Sequence, residues 1–266
     1  MKVRLAVALG LLFLLCSWVA GACGRGFGCD QWLLGTSYGF LIQAVAGIGI
    51  AHLAAWAGLA TVRVFRASRD LKRLPRAIPS AAVEATGRRV GARRLTFLDT
   101  VTPLAFCIGL FRPGIVISRG AVDALSPAAL AAVLAHEAHH QCHFEPVRRA
   151  LRSAAASVWF YLPLVRWWAS GREEASELAA DRHAIQLVGR PALARALLAG
   201  TAPMRAWPVA GFAGSLAPRV AQLLGDPLPP RRADRRLVGA TLAGVLASLV
   251  LAVCFLQLAG TVFAAG

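Results

Sequence analysis

The chain has 266 residues, of which 57% are hydrophobic and 16% are charged, and its mean hydropathy is +0.59. This composition excludes an ordinary soluble domain and indicates an integral membrane protein. The net charge of +16 does not indicate nucleic-acid binding, because no nucleic-acid-binding motif accompanies it. All but three of the 29 basic residues (Lys2, Arg4 and Arg25) fall between residues 63 and 236, an asymmetry that marks a cytoplasmic region.

Three stretches without a charged residue are candidates for crossing a bilayer: residues 5–22, 31–62 and 237–266. A crossing takes about 20 apolar residues, so the second and third are long enough. The first is either a retained helix or a cleaved signal peptide. We therefore expect a multi-pass protein of a bacterial-type inner or plasma membrane. Its parts are an N-terminal hairpin (1–62), a cytoplasmic domain (63–236) and a C-terminal helix (237–266).

The cytoplasmic region begins with basic residues that directly follow a spanning helix, so anionic lipid headgroups are expected partners. After it, Ser80 predicts the N-cap of a helix over residues 80–86. Apolar and β-branched runs bounded by Pro and Gly predict strands at 95–98, 104–110 and 114–118. Ser126 and Pro127 predict a helix start, with the helix covering 127–143. A second helix is expected over 172–188, before Gly189.

Between these two helices, residues 153–170 are predicted to be a membrane-associated segment. The uncharged run 153–165 has 13 residues, and as a helix it would reach only about 20 Å of a core of roughly 30 Å. Pro163 also disfavours one straight helix. We expect the segment to enter the membrane and return, or to lie along its cytoplasmic face.

Residues 136–140 read His-Glu-Ala-His-His, which contains an H-E-x-x-H match. On a helix, positions four apart share a face, so His136 and His140 can bind one metal ion. Glu137 stands beside that face, where its carboxylate can take a proton from the attacking water. Zinc suits this donor set and is the expected cofactor.

A catalytic zinc needs a third protein ligand and an open position. Glu177 is our prediction for that ligand, and Asp181, four residues on, is expected to hold a ligand imidazole. Glu173 and Glu174 are nearby competitors, for which we favour a role as an N-terminal acidic pair on the helix. His183 is a candidate for transition-state support, although a structural or solvated role is favoured for it, His139 and His143.

The order of these motifs resembles a known family. Residues 103–118, Leu125-Ser-Pro, residues 133–140, residues 159–165 and Glu177-Leu-Ala-Ala-Asp181 follow one another as in the antirepressor family of membrane zinc metallopeptidases, the beta-lactam and methicillin-resistance sensors. The related CAAX prenyl protease and heat-shock membrane protease family shares the two zinc motifs. One departure is Ala180, where the sensor family typically carries a cysteine.

The resemblance implies a small α+β gluzincin-type peptidase domain within a mainly α integral membrane protein. It implies Glu137 as the base, His136, His140 and Glu177 as zinc ligands, and Asp181 in support. It also implies that residues 114–118 lie near the cleft, where an extended substrate adds to a sheet edge. No penicillin-binding domain follows the last helix, so beta-lactam sensing by this chain alone is not expected.

The leading hypothesis is a membrane-bound endopeptidase that cuts a cytoplasmic or membrane-adjacent protein, with a transcriptional repressor in a signalling pathway as one candidate substrate. A membrane quality-control protease with the same chemistry is the first alternative. A non-catalytic scaffold protein with a structural zinc is the second, and the presence of Glu137 argues against it because a structural site needs no base.

Overall fold

The structure, a computed structural model, describes residues 37–72, 75–109, 112–201, 216–228 and 230–264. The predicted first hydrophobic segment, residues 5–22, lies outside them. The described residues divide into two compact units. The helical unit contains residues 37–59, 155–166 and 233–264, and the mixed unit contains residues 60–154 and 167–232.

Secondary structure is mostly helical, with one small sheet. The helices are α1 (Ser37–Lys72), α2 (Ala81–Arg89), α3 (Arg119–Ala124), α4 (Pro127–Cys142), α5 (Glu145–Val158), α6 (Pro163–Val188), α7 (Arg190–Thr201), α8 (Leu216–Leu224) and α9 (Arg235–Ala264). The strands are β1 (Arg76–Ala77), β2 (Leu95–Leu98), β3 (Ala105–Ile108) and β4 (Gly114–Ser118). This agrees with the expectation of a mainly α protein that carries a small α+β domain.

The sheet of the mixed unit has the strand order β1-β2-β4-β3. Strands β2 and β4 are parallel, and the other two pairs are antiparallel. Central strand β4 is almost wholly buried, with Ile115 and Ile117 at 0% exposure. These side chains belong to one core with Leu134 and the alanines of α4, so burial of apolar surface holds the helix on the sheet. The edge strand β3 also packs against α4.

Helix α4 begins where its local signals place it. The Ser126 hydroxyl accepts a hydrogen bond from the Ala129 amide, and Pro127 occupies the first turn, where its missing N–H costs nothing. The predicted strands at 95–98 and 114–118 and the cap at Ser80 are likewise confirmed. The strand expected over 104–110 is shorter and covers Ala105–Ile108.

Helix α6 begins nine residues before the predicted start at residue 172. The chain turns at Trp159–Leu162, and Pro163 opens the helix, because proline fits the first turn even though it breaks a helix interior. The predicted apolar link is therefore the tip of a helical hairpin formed by the end of α5 and the start of α6. Whether this tip enters a membrane stays a prediction.

Two helices of the described residues are long and apolar enough to cross a membrane: Val45–Arg66 within α1 and Arg235–Ala252 within α9. They coincide with the second and third uncharged stretches of the sequence. The hairpin tip packs closely on α9, since the Leu164 amide donates to the Thr241 hydroxyl at 3.1 Å. A side chain at Gly244 would lie 2.5 Å from the Tyr161 carbonyl, so only glycine allows this approach.

His52, which lies inside the first apolar helix, has a partner that the sequence did not reveal. Its Nε2 lies 2.6 Å from the Tyr161 hydroxyl, and its ring stacks on Trp159 with centroids 5.9 Å apart. Its Nδ1 lies 2.8 Å from the Ile48 carbonyl and donates to it. Because a carbonyl only accepts, Nε2 accepts the hydrogen bond from the tyrosine. A polar side chain in an apolar helix is thus satisfied by the hairpin tip.

Candidate metal and catalytic site

Helix α4 brings two imidazoles together inside the mixed unit. His136 and His140 are one helical turn apart, and both are buried, with 6% and 4% exposure. Their Nε2 atoms lie 3.0 Å from each other. Helix spacing explains the shared face, and the surrounding alanines, such as Ala135 and Ala138, leave room for the two rings.

Helix α6 adds a carboxylate to the pair. Glu177 Oε2 lies 3.3 Å from His136 Nε2, and Glu177 Oε1 lies 3.5 Å from His140 Nε2. Ligands on a tetrahedral ion with bonds of about 2.0–2.1 Å stand about 3.3–3.4 Å apart, so these separations have the right size for zinc. In addition, Glu177 Oε2 is buried without a hydrogen-bond partner among the described residues. The three side chains fit a metal ion and are the group best placed to hold one.

Asp181 orients the first imidazole, as the sequence predicts. His136 Nδ1 donates to Asp181 Oδ1 at 2.8 Å, which directs Nε2 toward His140 and Glu177. A carboxylate behind a ligand imidazole fixes its tautomer and raises its basicity. Asp181 is fully buried.

Arg219, from α8, holds this carboxylate in turn. Its Nε donates to Asp181 Oδ2 at 2.6 Å and its Nη2 to Asp181 Oδ1 at 2.8 Å, a two-pronged pairing. Its Nη1 also lies 3.4 Å from Glu177 Oε2. Sequence reasoning missed Arg219, because no local pattern connects it to helix α6, which ends at Val188.

These contacts shift the ionisation of the site. Burial alone would lower the pKa of His136, but its hydrogen bond to Asp181 and the adjacent Glu177 carboxylate outweigh burial and raise that pKa to about 9. Burial would raise the pKa of Glu177 and Asp181, yet the neighbouring imidazoles, and Arg219 beside Asp181, hold both below the ordinary values. Without a metal, the site therefore keeps two carboxylates ionised beside a charged imidazole.

Glu137 occupies the position that a proton acceptor needs. Its residue is 8% exposed, next to His136 in sequence, and among the described residues no side chain forms an ion pair or hydrogen bond with its carboxylate. Burial raises the pKa of the Cys107 thiol on β3, and the Glu137 carboxylate raises it further. The same carboxylate also helps to raise the pKa of Arg149 and Arg219, so its charge acts on groups of the sheet and of the arginine cluster alike.

Comparison with known families agrees with this arrangement. A profile of the BlaR1 peptidase M56 family matches residues 40–213, well over half of the chain. The chain belongs to the BlaR1 peptidase M56 family. Membership identifies it as a metallopeptidase, and members of this family are membrane proteins. A comparison with curated proteins finds no match. The expected relation to the CAAX prenyl protease and heat-shock membrane protease family stays a prediction.

Two expectations about this M56 peptidase require correction, and the first concerns Glu173 and Glu174. They do not form an N-terminal pair, because α6 begins at Pro163 and both lie well inside it. Glu173 Oε1 forms an ion pair with Arg149, 2.6 Å from its Nε, while Arg149 Nη2 donates to Glu177 Oε1 at 3.0 Å. Glu174 instead pairs with Arg231 at 3.2 Å. Neither belongs to the convergent group of His136, His140 and Glu177.

The second correction concerns the sheet edge. Strand Gly114–Ser118 was expected to receive an extended substrate, but it pairs with β2 on one side and β3 on the other. Its backbone hydrogen-bonding groups are thus already used. Among the described strands, the edge beside α4 is β3, Ala105–Ile108.

His183, the candidate for transition-state support, lies with the remaining histidines of the M56 domain. Its ring centroid is 5.5 Å from that of His139, which in turn stacks on His143. Burial and the neighbouring imidazoles, with His143 foremost, lower the pKa of His139 to about 4. Burial and His143 also lower the pKa of His183. Its role in transition-state support stays a prediction.

Proposed function

We propose that this M56-family chain is a zinc endopeptidase, of the gluzincin type, in a bacterial-type plasma membrane. In this proposal His136, His140 and Glu177 bind the ion, Glu137 is the general base, and Asp181 supports His136. The single observation that carries the proposal is the convergence of three buried ligand atoms beside a buried carboxylate without a partner.

Zinc is favoured by the donor set of two imidazoles and one carboxylate, which matches catalytic zinc sites that keep a fourth position open. When bound, the ion supplies a Lewis acid next to the scissile carbonyl and lowers the pKa of water to about 7. The two i, i+4 histidines come from one rigid helix and the carboxylate from another, so little rearrangement is needed for binding.

Proton transfer falls to Glu137. Its carboxylate accepts the proton of the attacking water and then delivers it to the leaving amine, which avoids expulsion of an amide anion. Because Glu137 is buried and forms no ion pair with the residues that the structure describes, its oxygens are available for this transfer. General acid–base catalysis of this kind contributes typically about 10²–10⁴-fold to the rate.

Positive side chains keep the acidic ligand in place. Arg149 bridges Glu173 and Glu177, and Arg219 lies against both Glu177 and Asp181. Burying an unpaired carboxylate is costly, so these arginines let Glu177 and Asp181 stay ionised inside the domain. They thus hold the side chains that the metal requires.

The substrate is a protein segment in extended form. Edge strand β3 packs against α4, the helix that carries Glu137, so a peptide added to this edge would pass along α4. We propose that it comes from a cytoplasmic or membrane-adjacent protein, with a transcriptional repressor in a signalling pathway as the leading candidate. A neighbouring gene for a winged-helix repressor would support this identity.

We place the mixed unit in the cytoplasm. The basic residues in the last turns of α1 and just after it favour that side, and the hairpin tip would enter the membrane and return, leaving α4 and Glu177 on one side. Reporter fusions after Arg149 and after Gly189 should then both report a cytoplasmic location. Reports from opposite sides would refute the topology.

The peptidase proposal is tested with the purified full chain and an unstructured protein substrate, with products identified by mass spectrometry. We expect internal cleavage that a chelator abolishes and Zn²⁺ restores, and none from His136→Ala. Glu174→Ala, which changes an acidic residue paired away from the site, is the matched control and should cleave normally. Cleavage by His136→Ala at the wild-type rate would show that the site is not responsible.

A further inference from the structure

Helix α4 carries a second pair of histidines four residues apart. His139 and His143 lie on a different face from His136 and His140, and their rings stack with centroids 4.0 Å apart and planes 25° from parallel. They are not core residues, since His139 is half-buried and His143 is exposed. Packing of apolar surface therefore does not explain their position.

A third imidazole joins them from α6. The ring of His183 lies 5.5 Å from the ring of His139 and is half-buried. The two helices that supply the proposed zinc ligands thus also bring three further histidines together. None of the three forms an ion pair with an acidic residue among those the structure describes.

The hydrogen bonding of His143 leaves one nitrogen free. Its Nδ1 lies 2.8 Å from the backbone carbonyl of His139 and donates to it, because a carbonyl only accepts. In the neutral ring, Nε2 then presents a lone pair. Donation from one ring nitrogen to a backbone carbonyl is the arrangement typical of an imidazole that ligates a metal through the other.

The geometry points to a second metal site, formed by His139, His143 and His183, for a borderline divalent ion such as Zn²⁺. The ring centroids of His139 and His183 lie 5.5 Å apart, and those of the stacked pair His139 and His143 lie 4.0 Å apart. The rings are thus close enough to share one ion with Zn–N bonds of about 2.0–2.1 Å once the stacked pair rotates. Imidazole-only sites suit Zn²⁺, Ni²⁺ and Cu²⁺ rather than Mg²⁺ or Ca²⁺.

This site binds more weakly than the proposed catalytic one. Its ring nitrogens do not converge as those of His136, His140 and Glu177 do, so binding requires ring rotation. Among the described residues, it also has no carboxylate ligand. Nor is any of its imidazoles held by a buried carboxylate and arginine, as His136 is by Asp181 and Arg219. The ring of His139 lies 6.3 Å from that of His140, so the second ion would bind next to the catalytic centre. The inference does not depend on peptidase activity.

The test is equilibrium dialysis of the full chain in detergent against increasing Zn²⁺, with bound metal measured by mass spectrometry. We expect one tightly bound ion and a second, weaker one. His143→Gln and His183→Gln should each keep the tight ion, which also shows that they fold, and weaken the second by about tenfold or more, since each removes a ligand.

Cys142→Ser is the matched control, because this exposed thiol precedes His143 and is an alternative zinc ligand. It should keep both ions. Saturation of the wild type at one ion, or an unchanged second ion in both histidine variants, would overturn the inference. Loss of the second ion in Cys142→Ser alone would overturn it too. His136→Ala should lose the tight ion and keep the weak one, so failure of either site is seen separately.

Discussion

Helix α4 presents two pairs of histidines four residues apart, and their surroundings differ sharply. His136 and His140 face a buried carboxylate, Glu177, and a buried aspartate stands behind His136. His139 and His143 face another imidazole at a half-exposed surface. Identical spacing on one helix thus yields a preorganised ligand set in one direction and a loose cluster in the other. The contributions of other helices, more than the motif itself, decide which pair binds tightly.

The largest expected effect comes from removing the carboxylate that distinguishes the two clusters. Glu177→Ala deletes a ligand and removes the carboxylate that both Arg149 and Arg219 contact. The tight ion and the peptidase activity should therefore both be lost. Glu174→Ala should keep both, because Glu174 pairs with Arg231 away from the site. Metal analysis of the two purified variants measures this. If Glu177→Ala kept the tight ion, Glu177 would not be the feature that makes the His136–His140 pair bind more tightly than the His139–His143 pair.

Next in size is the effect of the support behind His136. Arg219→Ala frees Asp181 from its two-pronged partner, and loss of such support typically lowers metal affinity by about 10–100-fold. Arg219→Lys keeps the positive charge but cannot make the two-pronged pairing. Its metal affinity should therefore lie between that of the wild type and that of Arg219→Ala. Competition with a chromophoric chelator gives the affinities. Arg231→Ala, which removes an arginine away from the site, is the control. An equal loss of metal affinity in Arg231→Ala would show that only the net charge of the chain matters.

A pH dependence should separate the two clusters further. The pKa of His136 is raised from 6.5 to about 9, so in the metal-free chain its stabilising contribution is complete below pH 6.5 and lost as the pH rises through about 9. Metal binding must displace that proton, so the affinity of the tight site should increase up to about pH 9. Thermal unfolding and zinc titration at several pH values measure both. An affinity of the tight site that does not change above pH 6.5 would contradict this.

The smallest effect concerns His52, whose partner is a tyrosine and not another histidine. Tyr161→Phe removes the hydroxyl that donates to His52 Nε2, which should lower the free energy of unfolding by about 1 kcal/mol. His52→Phe keeps the stacking on Trp159 and removes the same bond. Denaturation of the single and double variants should give non-additive losses. Additive losses would mean that the two side chains do not interact.

Local signals predicted much of this molecule. The start of α4 follows from Ser126 and Pro127, and strands β2 and β4 follow from their β-branched residues. The pairing of His136 with His140 could be anticipated because helix periodicity fixes which residues share a face. These features depend on near neighbours in the sequence.

What could not be predicted depends on long-range placement. The order of strands in the sheet made β3, and not β4, the edge beside α4. Arg149 and Arg219 reach Glu177 from other helices, and no spacing rule links them to it. Proline at 163 opened α6 because the chain turns just before it, which moved Glu173 from the helix start to its interior.

The most direct test of the central claim is Glu137→Gln, measured for metal content and peptide cleavage in the same preparation. The substitution keeps the shape of the side chain and touches none of the three proposed ligands. We expect the tight ion to remain and cleavage to fall by about 10²–10⁴-fold, the usual contribution of a general base. Cleavage at the wild-type rate with the ion in place would contradict the assignment of Glu137.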